Sequence, residues 1–224
     1  MVQTTGNYTY PVVFTGQEIT KLNKLKGFSY TGYKSELIAK HIIEQNPAFT
    51  SCSFVRGKEN MYKGDIKVRM VGYKRKDPTR YIEVKTGTLY NDRKKLCIDY
   101  KYTVKNCPDK EYKQSTTGAW INASYDIIAI VFSDVMYMIR DGCSLLEKVQ
   151  QDVELKRLQS PSLDDDWYKI RNIEIADGLV ATTNQVHTKY DTWLLSLDLD
   201  TYLDFNNINY KRIGYEVVQR KRVE

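Results

Sequence analysis

Apolar positions recur at helical spacing in Glu36–Glu44, where Leu37, Ile38, Ile42 and Ile43 fall on one stripe. Asn46-Pro47 ends that helix, and residues 15–25 read as a shorter one before it. The period then changes. Ser51–Arg56 reads as a strand, and Asp65–Val71 alternates strictly, with Ile66, Val68 and Met70 on one face and Asp65, Lys67 and Arg69 on the other. A turn over Gly72–Thr79 contains Asp77-Pro78 and leads into a returning strand, Arg80–Thr86. On that strand Ile82 and Val84 oppose Glu83 and Lys85. Lys95–Tyr102 reads as a further strand, followed by a polar loop over residues 103–118.

Tyr125–Phe132 is an almost unbroken apolar run, the pattern of a strand covered on both faces. Ser133-Asp134 turns it into a hairpin with Val135–Arg140. A helix is predicted from Gly142 to about Arg157, then a linker over Gln159–Asp166. The remainder carries Trp167, Trp193 and a Leu-rich run with no dominant period. Helices and strands in this order predict an α/β fold, a mixed sheet flanked by helices.

Composition narrows the classes. The 224 residues are 42% hydrophobic and 12% aromatic, which excludes intrinsic disorder. No apolar run reaches the ~18 residues of a membrane helix, and no signal peptide is visible, so a cytoplasmic protein is expected. The only histidines are His41 and His187, which argues against a zinc hydrolase built on several His ligands. The cysteines, Cys52, Cys97, Cys107 and Cys143, form no Cys-x-x-Cys pair and read as reduced thiols.

The net charge of +6 is unevenly spread. Residues 56–113 hold 17 of the 34 Lys and Arg against eight acids, whereas residues 144–210 hold six basic residues against twelve acidic. The basic segment is interleaved with tyrosines, among them Tyr73, Tyr81, Tyr90 and Tyr100. Cations alternating with aromatic rings suit a phosphate-backbone partner with some base or sugar stacking, the alternative being a solvated, Lys-rich sheet face. Lys74, Arg75, Lys76, Arg93, Lys94 and Lys95 flank the site strands and are the candidate phosphate contacts.

Within this basic segment lies an acidic constellation. Gly64-Asp65 opens one strand, and Glu83-Val84-Lys85 lies on the returning strand. Folding the turn brings Asp65 toward residues 83–87, so two carboxylates and a lysine converge. Glu-x-Lys also occurs at Glu111 and Glu154, so the tripeptide alone carries little; the hairpin gives it weight. Paired carboxylates are hard oxygen ligands for Mg²⁺ or Mn²⁺ shared with a substrate phosphate. A lysine two residues along the strand faces the same side, where it can orient water or offset developing charge. Glu36 stands on the preceding helix where a further acid would complete the set.

Glu36, Gly64-Asp65 and Glu83-Val84-Lys85 together resemble the PD-(D/E)XK nuclease superfamily, with Gly64 in place of the family's proline. The resemblance spans roughly residues 30–140. Asp99, Thr116-Thr117-Gly118-Ala119-Trp120 and Tyr125-Asp126 resemble, more loosely, phage-encoded members. The resemblance implies a restriction-endonuclease-like core over residues 1–143 and a C-terminal α+β extension over residues 144–224. It implies divalent-metal-dependent cleavage of DNA, with Asp65, Glu83, Lys85 and Glu36 catalytic, Asp65 and Glu83 holding the metal, and Asp99 a possible additional acid. A phage recombination, junction-resolving or restriction-like endonuclease fits, located in the host cytoplasm. The acidic extension suits packing or a homodimer interface better than phosphate. The alternatives are an inactive nucleic-acid-binding module of the same fold and a structural protein whose basic segment meets an acidic partner. His41, His187, Asp164-Asp165-Asp166, Trp120 and Arg220-Lys221-Arg222 carry no predicted role.

Overall fold

The computed structural model describes residues 9–55, 63–72, 77–90, 92–104, 125–160, 173–186 and 190–218. Among these residues no helix is long and apolar enough to cross a membrane. The chain divides into two units. The first comprises Met1–Gly87, Ser124–Gly142 and Asn209–Glu224; the second comprises Thr88–Ala123 and Cys143–Ile208.

The first unit holds a seven-stranded mixed sheet in the order β1 (Thr9–Val12), β12 (Tyr210–Val217), β8 (Val135–Ile139), β7 (Ile127–Val131), β4 (Thr79–Thr86), β3 (Ile66–Met70), β2 (Phe49–Phe54). β4 runs parallel to β7 and β1 parallel to β12, and the remaining pairs are antiparallel. Every residue of β7 and β8 is buried, as their unbroken apolar sequence requires. β3 keeps its alternation, with Ile66 and Val68 buried and Lys67 and Arg69 exposed.

Among the described residues, two helices flank this sheet. α1 (Gly16–Leu22) opens on a capping box in which Thr15 Oγ1 accepts from the Glu18 amide and the Glu18 carboxylate accepts from the Thr15 amide. α2 (Gly27–Glu44) buries Leu37, Ile38, Ala39, Ile42 and Ile43. Ile38, Ala39, Ile42 and Ile43 share one core cluster with Ile66, Val68, Ile82, Val84, Ala129 and Met136. The face of β4 carrying Ile82 and Val84 thus packs toward α2, and Glu83 and Lys85 lie on the opposite face.

α2 begins at Gly27, well ahead of the Glu36 start expected from sequence. Its first turns contain Gly27, Gly32, Thr31 and two tyrosines, weak helix formers. Its cap residue, Lys26, makes no side-chain capping bond, so nothing in the sequence marks the start. Long-range contacts hold these turns instead: the Tyr33 ring lies against Phe54 and under Lys21 Nζ, and Thr86 Oγ1 reaches the Thr31 carbonyl.

The second unit is built on a five-stranded antiparallel sheet in the order β5 (Thr88–Tyr90), β6 (Arg93–Val104), β11 (Tyr190–Asp198), β10 (Leu179–Val186), β9 (Ile173–Ala176). It also carries α3 (Gly142–Gln159, all but its first residue) and α4 (Leu199–Phe205). α4 packs on β6 and β11, and the hydroxyl of Tyr202 on α4 donates to the Asp152 carboxylate on α3 at 2.6 Å. Lys148 Nζ meets the other oxygen of Asp152 at 2.5 Å, so this buried carboxylate is paired.

The expected division at residue 143 therefore shifts. β6, expected as a third strand of the core, pairs with β11 in the second sheet, and β12, expected in the extension, lies inside the first. Strand pairing between distant segments leaves no local trace, since a strand pattern does not name its partner.

Candidate active site

β3 and β4 pair only as far as Ile66 and Ile82; beyond that point β4 continues alongside β7, from Ile82 opposite Ile127 to Thr86 opposite Val131. The two strands therefore diverge at Asp65. The Asp65 amide donates to the Ile82 carbonyl at 2.9 Å, and the Asp65 carbonyl accepts from the Val55 amide at 2.8 Å. Past the divergence, the Val84 amide donates to Asp65 Oδ2 at 2.8 Å. The carboxylate takes the place of the lost strand partner.

Gly64 makes this approach possible. Its φ is +108°, and a Cβ there would lie 2.8 Å from the Ile82 carbonyl oxygen and 2.9 Å from its carbon. Any side chain would push the Asp65 backbone away from β4.

Glu83 is 6% exposed, and its Oε1 lies 2.6 Å from Lys85 Nζ. Both side chains stand on the face of β4 away from Ile82 and Val84, as the two-residue repeat of a strand requires. At the start of the neighbouring segment, Tyr125 is buried. Its hydroxyl pKa is pushed up by that burial and by the negative charges of Glu83 and Asp65. Asp126, next to it, accepts from the Tyr81 amide at 3.0 Å and lies 3.6 Å from Arg80 Nε, fastening the start of β7 to β4.

Glu36 reaches the same place from α2. Ser35 Oγ lies 2.8 Å from Thr86 Oγ1, which pins this turn of the helix to the end of β4. Burial pushes the Glu36 carboxyl pKa up to about 7, and the charges of Asp65 and Glu83 add to the rise, while Lys21 and Lys85 oppose it. Glu36, Asp65, Glu83 and Lys85 thus share one electrostatic neighbourhood, as expected from their positions in sequence. Tyr125 and Lys21 join it without having been expected: neither falls within the acid and Glu-x-Lys pattern, and only the parallel pairing of β4 with β7 and the packing of α1 beside α2 bring them near.

Among the described residues no three His, Cys, Asp or Glu groups stand close enough to ligate one metal by themselves. The donor set nevertheless fits Mg²⁺ or Mn²⁺, which take few carboxylates and complete their shell with water and substrate oxygens. Burial is the larger cause of the raised Glu36 carboxyl, and the smaller part that comes from the charges of Asp65 and Glu83 is what such a cation would offset.

The other candidates are placed elsewhere. Arg93, Lys94 and Lys95 lie on β6, in the second unit, and not on the strands that carry Asp65 and Glu83. Arg93 Nη1 is 3.3 Å from Asp198, the residue that caps α4. Asp99 is also on β6, paired through its backbone with Leu194 of β11. Lys74, Arg75 and Lys76 lie outside the described residues, as do His187, Trp120, Asp164-Asp165-Asp166 and Arg220-Lys221-Arg222. His41 is a latch between helices: its Nε2 lies 3.1 Å from Glu18 Oε2. Comparison with known protein families, curated proteins and solved structures found no match to this chain.

The raised Glu36 carboxyl has a thermodynamic consequence. Its folded pKa lies above its unfolded value of 4.5, so the folded state binds the extra proton between those values. Folding stability from this group is fully present at low pH and is lost as pH rises through about 7. In chelator-containing buffer, the Glu36→Gln variant is expected to show a flatter stability profile than wild type between pH 5 and 7, read by denaturant unfolding. Parallel profiles would show that neither burial nor the neighbouring acids raise the Glu36 carboxyl.

Proposed function

We propose that this chain is a divalent-metal-dependent nuclease that hydrolyses phosphodiester bonds in DNA, on a restriction-endonuclease-like core formed by its first unit. The observation that carries the reading is that Asp65, Glu83 and Lys85 lie where β3 and β4 diverge, with the lysine 2.6 Å from Glu83 and Glu36 within electrostatic reach. A purely structural cluster would gain nothing from setting three carboxylates against one another at a buried strand end.

Asp65 and Glu83 are the residues that would hold the metal, which when bound supplies charge neutralisation at the scissile phosphate and an activated water. The Val84 amide fixes the Asp65 carboxylate, so its oxygens are oriented before substrate arrives. Lys85, held by Glu83, presents its ammonium to the attacking water or to a phosphate oxygen. Glu36, a half-buried acid within electrostatic reach of Asp65 and Glu83, would take or return a proton beside them.

The test is a digestion panel of plasmid and oligonucleotide substrates with Mg²⁺, Mn²⁺ or excess EDTA. Cleavage with either metal and none in EDTA is expected. Undiminished cleavage in excess chelator would sink the metal reading, and no cleavage of any substrate with either metal would leave only a binding module.

A further inference from the structure

The outer face of the sheet beyond Glu83 has a composition that catalysis alone does not use. Register places Ser53 opposite Lys67 and Ser51 opposite Arg69, then Lys67 opposite Tyr81 and Arg69 opposite Thr79. These residues share the face that carries Glu83 and Lys85 further along β4. At β7 and β8 both faces of the sheet are buried. At β2 and β3 this outer face is open: Ser51, Ser53, Lys67 and Arg69 are all exposed. β2 is the edge strand, so the open strip runs off the side of the sheet.

The strip is one-sided in charge. The outward residues of β2 and β3 are two serines, a lysine and an arginine, with no acid among them. They line a depression of about 490 Å³ together with Asp77, Pro78 and Thr79 at its end. Asp77 is the acid at that rim. Hydrogen bonds from Thr79 hold its carboxyl below the usual range, with the charges of Arg80 and Lys67 adding to the effect.

Tyr81, on β4 at the inner edge of the strip, is half-buried and has two ammonium groups near its ring. Lys63 Nζ lies 5.3 Å and Lys67 Nζ 6.0 Å from its ring centroid. An aromatic platform flanked by cations matches the way single strands are bound, with bases stacked on rings and phosphates tracked by Lys and Arg. From β4 to β2 the strip is about 10 Å wide, two strand spacings, which is room for one polynucleotide strand rather than two.

We infer that the open face of β2, β3 and β4 is a track for a single, unpaired nucleic-acid strand, with Tyr81 stacking on a base and Lys67 and Arg69 contacting phosphates, and that it feeds this strand to Glu83 and Lys85. The inference rests on the nuclease reading for the strand being substrate, but the track itself is tested without cleavage. Binding of a short fluorescein-labelled oligo(dT) and of a duplex of equal length is measured by anisotropy in EDTA, across a salt series. The comparison uses wild type, Tyr81→Ala, Tyr81→Phe, Lys67→Ala and Arg69→Ala, each with its thermal midpoint.

Tyr81→Ala is expected to weaken oligo(dT) binding about 5- to 100-fold, and Tyr81→Phe to keep it near wild type. Lys67→Ala and Arg69→Ala are each expected to flatten the slope of log K against log salt by roughly 0.7, the single-strand value for one phosphate. Absence of oligo(dT) binding, unchanged affinity and slope in all variants, equal loss in Tyr81→Phe and Tyr81→Ala, or tighter binding of duplex than of oligo(dT) would each overturn the track. Should Tyr81→Ala unfold, the two cation variants still decide. A chain that binds as stated yet never cuts would sink the catalytic reading alone. One that cuts with no dependence on these residues would sink the track alone.

Discussion

Replacing Asp65 or Glu83 with alanine is expected to lower phosphodiester cleavage by about three orders of magnitude while DNA affinity stays equal to or above that of wild type. Each carboxylate is asked to supply several kcal/mol of transition-state stabilisation through the metal it would hold, and each 1.36 kcal/mol is about tenfold in rate. Affinity does not fall, because removing a negative charge beside the phosphate backbone relieves repulsion. Lys85→Ala is expected to cost about 10²- to 10³-fold in rate, the cost of losing one positioned donor, with metal binding largely kept. Single-turnover cleavage of end-labelled DNA reads the rates, and anisotropy in chelator reads the binding. If all three variants cut at the wild-type rate, the β3–β4 divergence is not where the chemistry happens.

Gly64→Ala is expected to destabilise the fold by about 2–3 kcal/mol, the cost of a non-glycine residue held in a sparsely populated backbone region. Here the new Cβ also meets the Ile82 carbonyl at 2.8 Å, so relief requires moving β4 or the Asp65 backbone. Either movement breaks the Asp65 amide bond to Ile82 and tilts the carboxylate off the Val84 amide. Cleavage is therefore expected to fall together with stability. Urea denaturation checks the first part: a loss within the ~0.5 kcal/mol of an ordinary surface substitution would show that the strand end yields without strain.

What the chain reveals before folding follows from how local each feature is. The Ile66–Met70 strand and its return over Thr79–Thr86 are written in strict alternation, and Ile127–Val131 in its unbroken apolar run, so these elements are legible. Glu36, Asp65, Glu83 and Lys85 are legible too, because one hairpin and one preceding helix suffice to gather them. The first turns of α2 are not legible, since Gly27, Gly32 and Thr31 carry no helical preference and the Ser35–Thr86 contact that steadies them is long-range. Nor is the second sheet, in which β6 pairs with β11 across nearly the whole second unit. Tyr125 is missed in the site because a tyrosine before an apolar strand reads as core; the Asp65 and Glu83 charges reach it only through the parallel pairing of β4 with β7. The Lys67–Arg69–Tyr81 strip is missed because each residue alone looks like ordinary solvated strand.

The return of β12 into the first sheet governs how the chain can be made. Among the described residues strand β1 pairs only with β12, Thr9 opposite Gly214, and β12 also covers the edge of β8. While the chain is being synthesised, β2, β3, β4, β7 and β8 emerge long before their last partner. During that interval Val135–Ile139, a strand whose residues are all destined for burial, presents an unpaired edge. Closing a sheet across such a sequence separation is slow. The exposed edge makes the nascent chain prone to pair with its neighbours on the polysome. Yield of native protein is therefore expected to rise when initiation is slowed and nascent chains are spaced apart, read as the soluble fraction at matched total synthesis.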